Sequence, residues 1–269
     1  MEISLLENKG NRLRFTAKGI GFAFANALRR VMISEVPTMA IDDVVIVENS
    51  SVMYDEILAH RLGLTPLTTD LNAYILPEDC DCQSDLGCNK CRTSLTLEAE
   101  AEDQTRTVYS GELNPQDPQI KPVSEDIPLV KIGPGQRVKL EAYARLGRGY
   151  EHAKWQPTSV CAYKYAPKVT LDMNKCDGCE ECIKFCPYDV FGKEGKSIVV
   201  KNEINCTLCM ECVRHCDKKD SPIKIEWDLD TFIFTIESTN TLSPREIVEE
   251  ALKILKQKTT KVNELIAET

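Results

Sequence analysis

Polar and apolar positions alternate most strictly at residues 95–101, where Leu95, Leu97, Ala99 and Ala101 interleave with Thr96, Glu98 and Glu100. A period of two is that of a strand with one buried face. Residues 2–7 and 12–17 read as two short strands around the turn Asn8-Lys9-Gly10-Asn11, and residues 39–47 as a third. Further strands are expected at 127–132 and 137–144, separated by Gly133-Pro134-Gly135, and at 223–228 and 231–237. Helical spacing takes over at 21–34, where Phe24, Leu28 and Val31 share a face and Pro37 bounds the element downstream. Tyr54 to Leu62 reads as a short helix with Gly63 as its C′ glycine. Pro115, Pro118, Pro122 and Pro128 make 114–128 a loop, and 145–158 reads as an irregular one. The longest amphipathic run opens at Ser243, a natural N-cap, with Pro244 at the first helical position and Glu246 completing a capping box. Ile247, Val248, Ala251, Leu252, Leu255, Val262, Leu265 and Ile266 form its apolar stripe. A helix of that length at a chain end either packs on its own domain or meets a partner, and the pattern alone supports both.

Composition narrows the classes. The chain has 269 residues, enough for one large domain or two to three small ones. Asp and Glu outnumber Lys and Arg by 42 to 33, a formal net charge of −9. That balance argues against nucleic acid as the main partner, because phosphate neutralisation draws on a basic face. No apolar run approaches the roughly 18 residues that span a bilayer, and the first residues lack a secretory pattern. The expectation is a cytoplasmic protein with no membrane partner.

The 13 cysteines change the picture. Four fall between Cys80 and Cys91, eight between Cys176 and Cys216, and Cys161 stands alone as an ordinary small core residue. In a reducing compartment, clustering at short spacing points to metal rather than to disulfides. Cys176, Cys179, Cys182 and Cys186-Pro187 read C-x2-C-x2-C-x3-C-P, and Cys206, Cys209, Cys212 and Cys216 repeat the spacing 30 residues later. Soft thiolates in this rhythm suit iron–sulfur clusters, with zinc or unligated thiols as the alternatives. Cys80, Cys82, Cys88 and Cys91 read C-x-C-x5-C-x2-C. Four thiolates on so short a loop can close a tetrahedral structural zinc site; the alternative is a reduced loop that holds metal weakly or not at all.

The duplicated run resembles the two-cluster ferredoxins, in which the fourth cysteine of each run serves the other cluster. That resemblance implies two [4Fe-4S] clusters, one on Cys176, Cys179, Cys182 and Cys216, the other on Cys186, Cys206, Cys209 and Cys212. Asp217 departs from the family, which often has proline there.

Two further segments, Asn26 to Asp42 (NALRRVMISEVPTMAID) and Asp55 to Leu67 (DEILAHRLGLTPL), resemble the signatures of the α-type subunits of RNA polymerase. The Cys80–Cys91 loop is similar to the zinc loop of the third subunit of eukaryotic RNA polymerase II, and the ferredoxin-like insertion points to the archaeal branch of the family. The resemblance implies an α+β fold: a dimerisation domain from 1–45 and 225–269, an inserted β-rich domain at 46–165 carrying the 80–91 loop, and a ferredoxin-like domain at 166–224. It implies heterodimerisation with a smaller α-like subunit, L, through Phe24, Leu28, Val31, Ile247, Ala251, Leu255, Val262 and Leu265. That dimer, with small subunits N and P, would form the platform on which the large catalytic subunits assemble. No catalytic residues and no direct DNA or RNA binding are expected, and neither a metal-holding Asp cluster nor a Gly-rich phosphate loop occurs. The competing class is a ferredoxin-type electron-transfer protein, which accounts for 166–224 alone.

Arg29-Arg30 is expected to dock acidic or backbone groups of a partner rather than nucleic acid, and His60 to be structural. The basic run Arg145, Arg148, His152 and Lys154 with Trp155 reads as a solvated loop, with a subunit contact as the runner-up.

Overall fold

The computed structural model describes residues 1–267 apart from Gln83, Asp85, Leu86, Lys196 and Lys219. The first hairpin pairs β1 (Glu2–Lys9) with β2 (Arg12–Lys18) around Gly10, whose φ of 55° suits a residue without a side chain. The chain continues through α1 (Phe22–Ser34), β3 (Thr38–Asn49) and α2 (Asp55–Gly63). Next come β4 (Arg92–Glu100), β5 (Arg106–Tyr109), β6 (Asn114–Pro115), β7 (Pro128–Ile132), β8 (Arg137–Gly147) and β9 (Thr158–Leu171). After these follow α3 (Glu181–Lys184), β10 (Phe191–Glu194), β11 (Ser197–Val200), α4 (Glu211–Arg214), β12 (Ile223–Ser238) and α5 (Pro244–Ala267). The class is α+β, with antiparallel pairing in the ladders β3·β8, β4·β8, β4·β6, β5·β7 and β10·β11.

The chain divides into two compact units, one of Met1–Asn8, Arg14–Asn26 and Ala162–Thr235, the other of Lys9–Leu13, Ala27–Cys161 and Ile236–Thr269. The larger unit is built on the sheet β3-β8-β4-β6 with the two-stranded β5-β7 beside it. Alternation in β4 (Thr93, Leu95, Leu97 and Ala99 buried) and β8 (Val138, Leu140, Ala142, Ala144 and Leu146 buried) supplies one apolar face. Leu58 and Leu62 of α2 belong to the same core, joined by Met39, Ile41, Leu67, Ile120 and Leu129. Gly147 ends β8 where a side chain would enter the indole of Trp155, so no other residue fits there without displacing the ring.

The smaller unit carries aromatic packing between strands: Phe15 stacks on Phe234 at 5.0 Å, and Tyr163 and Tyr165 meet Phe232 at 5.5 and 4.9 Å. The strand order of this sheet is β1-β2-β12-β9. A second core lies around the hairpin β10-β11, from Val169, Val190, Phe191, Ile198, Ile223 and Ile225 together with Cys182, Cys206 and Cys212.

Several expectations need correction. Residues 223–238 form one strand, not two. The Asp228 carboxylate accepts from the Asp230 N–H at 3.0 Å and the Thr231 hydroxyl at 2.7 Å, so turn-like chemistry is absorbed without breaking the ladder. Gly63 is the last helical residue of α2, and Leu64 takes the cap in a right-handed conformation. The turn at 133–135 joins strands of different sheets, because β7 pairs with β5 while β8 pairs with β3 and β4. The segment 145–158 begins as strand and holds a 3₁₀ turn at Ala153–Trp155. Its basic residues are engaged rather than solvated. Asp42 receives Arg145 Nε and Lys154 Nζ, each at 2.6 Å, and both cations lie over the buried Trp155 ring, at 4.5 and 4.3 Å. Despite the desolvation that opposes ionisation, these partners hold the Asp42 carboxyl below the usual range.

Candidate metal centres

The two cysteine runs fold alike. Gly178 and Glu180 have φ of 76° and 66°, and Leu208 and Met210, each 30 residues on, have 61° and 65°. The left-handed residue just before each short helix, Glu180 before α3 and Met210 before α4, turns the loop onto a helix that starts one residue later. Cys179 and Cys209 are exposed, whereas Cys182 and Cys212 are buried. Phe185 and His215 are also repeat counterparts, and their rings stack on one another at 3.8 Å with 14° between the planes. The duplication is therefore one of backbone and packing as well as of spacing.

The fourth cysteines sit across the repeat. Cys216 lines one small cavity together with Cys176, Cys179 and Cys182, closed by Leu171, Ile198 and Ile223. Cys186, for its part, stands close enough to Cys206 and Cys212 to oppose their ionisation. Burial first, then neighbouring thiols, pushes Cys182 up to about 11 and Cys212 up to about 12; burial likewise raises Cys206. Such thiols pack as neutral apolar groups unless a cation takes their protons. Two sets of four sulfur donors, half-walled by aliphatic side chains, are chemically suited to iron–sulfur clusters.

The 80–91 loop makes a different kind of site. A 3₁₀ turn at Pro77–Asp79 leads in, and Cys91 is buried where β4 begins. The Sγ atoms of Cys80, Cys82, Cys88 and Cys91 all lie within 4.8 Å of one another. Sγ separations of 3.7 Å (Cys80 to Cys88) and 3.9 Å (Cys82 to Cys91, and Cys88 to Cys91) agree with the roughly 3.8 Å edge of a tetrahedron with 2.3 Å metal–sulfur bonds. The Cys88 N–H points at Cys91 Sγ at 3.2 Å, and Gly87, φ 74°, closes the turn. A backbone N–H at Lys90, with the neighbouring sulfurs, holds Cys88 down at about 7. Cys80 also receives a backbone N–H, from Cys82, but the Cys82, Cys88 and Cys91 side chains and desolvation outweigh it and push the thiol up to about 12. Four sulfurs at these separations are arranged for a single cation.

Cys161 joins neither set; burial pushes its thiol up to about 12, and its Sγ faces the Arg29 carbonyl at 3.8 Å.

The residues expected at a partner interface divide by burial. Leu28, Val31, Ile247 and Ala251 are buried within this chain, at 5% exposure or less. Phe24, Val262 and Leu265 are exposed, along with Leu252 and Ile266, while Leu255 is half-buried. The capping box of α5 is formed: Ser243 N–H donates to Glu246 Oε2 at 2.9 Å and Glu246 N–H to Ser243 Oγ at 3.3 Å. Lys258 pairs with Glu35 at 2.5 Å, and beyond it the helix is exposed all round.

Sequence reasoning missed the Asp42–Arg145–Lys154–Trp155 group. Its signal, a basic run ending in tryptophan, gave no hint of an acid 103 residues earlier.

The sequence profile described as "RNA polymerase Rpb3/Rpb11 dimerisation domain" matches residues 14–259. Subunit Rpo3 of DNA-directed RNA polymerase from Methanosphaera stadtmanae is 41% identical over 100% of this chain and 99% of its own length. Rpo3 from Methanothermobacter thermautotrophicus is 44% identical, over 97% of each chain. Subunit rpb3 of RNA polymerase II from Dictyostelium discoideum is 36% identical, over 99% of this chain and 95% of its own.

Proposed function

Because the chain belongs to the RNA polymerase Rpb3/Rpb11 dimerisation-domain family, as a non-catalytic subunit of DNA-directed RNA polymerase of the archaeal type, we propose that it is the platform on which that enzyme assembles. Its dimerisation surface, built from both chain ends, receives the smaller α-like subunit L. Small subunits N and P and the large catalytic subunits then build on the pair, and phosphoryl transfer takes place on the large subunits. The work is done in the cytoplasm without direct contact to DNA or RNA, in keeping with a net charge of −9. The observation that carries this reading is the full-length match to polymerase subunits, which leaves no segment of this chain without a counterpart in Rpo3.

The interface proposed for L takes the exposed members of the expected set, Phe24, Val262 and Leu265, with the half-buried Leu255 and the neighbouring exposed Leu252 and Ile266. Ile247 and Ala251, buried at 0% exposure, hold the start of α5 to its own chain instead. Apolar side chains left exposed along α5 are what a partner covers.

The ferredoxin-like domain, in this reading, holds two [4Fe-4S] clusters. Cys176, Cys179, Cys182 and Cys216 hold one; Cys186, Cys206, Cys209 and Cys212 hold the other. The support is the crossed grouping of the thiols and the repeated backbone. When bound, the clusters supply folding free energy and a redox-sensitive element to assembly. Cys80, Cys82, Cys88 and Cys91 hold one structural zinc, supported by the tetrahedral sulfur spacing.

Affinity capture of the tagged chain under anaerobic conditions tests the function. Stoichiometric L and the large polymerase subunits are expected. An oxidoreductase in their place would favour the electron-transfer class.

A further inference from the structure

The two proposed cluster sites are not electrostatically alike. Near the first, Lys218 lies close enough to feel Cys179 and Cys216, but its ammonium is paired with Asp177 at 2.6 Å. At the second, Lys164 of β9 donates from Nζ to the carbonyl oxygens of Ile204 at 2.6 Å and Cys206 at 2.7 Å. No carboxylate among the described residues is paired with its ammonium, which is held by these two carbonyls. The same strand holds this loop a second time, because the Val169 N–H donates to Glu203 Oε1 at 2.7 Å. The loop that opens the second cysteine run is thus clasped to β9 at both ends of the 3₁₀ turn Glu203–Asn205.

We propose that Lys164 is a positioning residue for the second cluster, fixing the carbonyls beside Cys206 and placing an unneutralised cation against that site. This rests on the reading of the cysteine runs as [4Fe-4S] sites. A cation beside a cluster favours the form with the extra electron, and hydrogen bonds that orient a ligand loop slow its opening. The second cluster is therefore the one with the higher midpoint potential. It is also the one whose loss is felt by β9, the strand that runs from Thr158 to Leu171.

The test uses the full chain, purified anaerobically, as wild type, Lys164→Gln and Lys164→Arg. Iron and acid-labile sulfide are counted, and reductive titration is followed by electron paramagnetic resonance. Lys164→Gln is expected to lower one of two midpoints and to speed iron loss from that cluster about tenfold, the lower end for an outer-shell partner. Lys164→Arg is expected to restore the midpoint, which a purely packing role would not require. Introducing Lys164→Gln into a Cys216→Ser background, where the second cluster alone remains, must reproduce the shift. Unchanged midpoints, equal shifts of both, or a shift confined to the cluster that survives Cys186→Ser would overturn the assignment. A wild-type chain holding neither iron nor sulfide would instead overturn the cluster reading itself, and Lys164's role with it.

Discussion

At the scale of single residues, the crossing of the fourth cysteines is the feature most open to test. Cys216 shares a cavity with the first run, and Cys186 acts on the thiols of the second. Cys216→Ser should therefore abolish the cluster of Cys176, Cys179 and Cys182 and spare the other, while Cys186→Ser does the reverse. Each variant is expected to keep about half its iron, since each cluster draws four ligands. Iron analysis and Mössbauer spectra would show the crossing to be wrong if each lesion stayed within its own run. Spacing made the candidate ligands legible in the sequence. What it could not convey is that Leu208, φ 61°, takes the backbone conformation for which its counterpart is Gly178. A left-handed leucine costs about 1–2 kcal/mol, and only the folded repeat reveals that the second run tolerates it. The Asp42 group was illegible for a related reason: ion pairs join residues by space, and a basic run carries no record of its acid.

At the scale of elements, periodicity located α1, α2, β3, β4 and α5 to within a few residues, because each combines a clear repeat with a stop signal. It failed at β12, where Asp228-Leu229-Asp230-Thr231 has the composition of a turn, and turn-like side-chain hydrogen bonds from Asp228, inside one continuous strand. It also passed over β5, whose four residues are too short to show a period. The apolar stripe of α5 was legible as a stripe, but its division was not. Ile247 and Ala251 are buried in the chain, and Val262, Leu265 and Ile266 are 53–69% exposed. That division predicts opposite phenotypes for the same change. Ile247→Asp should destabilise the chain itself by about 3 kcal/mol or more, since a charge is buried without a partner. Leu265→Asp should leave the thermal transition of the chain unchanged and weaken binding of L by roughly tenfold to a hundredfold, the worth of one buried leucine. Differential scanning calorimetry and a binding titration separate the two; a Leu265→Asp chain that binds L normally would remove the C-terminal half of α5 from the interface.

At the scale of the whole molecule, the two units differ in what stabilises them. The larger has a continuous aliphatic core around Leu95, Leu97, Ile120 and Leu140. In the smaller, three of the nine buried residues of the 169–225 core, among those described, are the thiols of Cys182, Cys206 and Cys212. A core so short of large side chains depends on what its sulfurs bind. Chelation of iron, or exposure to oxygen, should therefore release amide protection across 166–224 while leaving the β3-β8-β4 ladder protected. Hydrogen exchange reads both regions at once, and an iron-free 166–224 segment with full protection would deny the clusters a structural role. Such coupling would let redox state set the supply of assembly-competent subunit. The most direct test of the platform role is reconstitution of the polymerase from separately purified subunits with this chain withheld. The account predicts that the large subunits then fail to form an active enzyme with L, N and P, and that adding the iron-loaded chain restores both assembly and transcript synthesis. Full assembly and synthesis in its absence would contradict it.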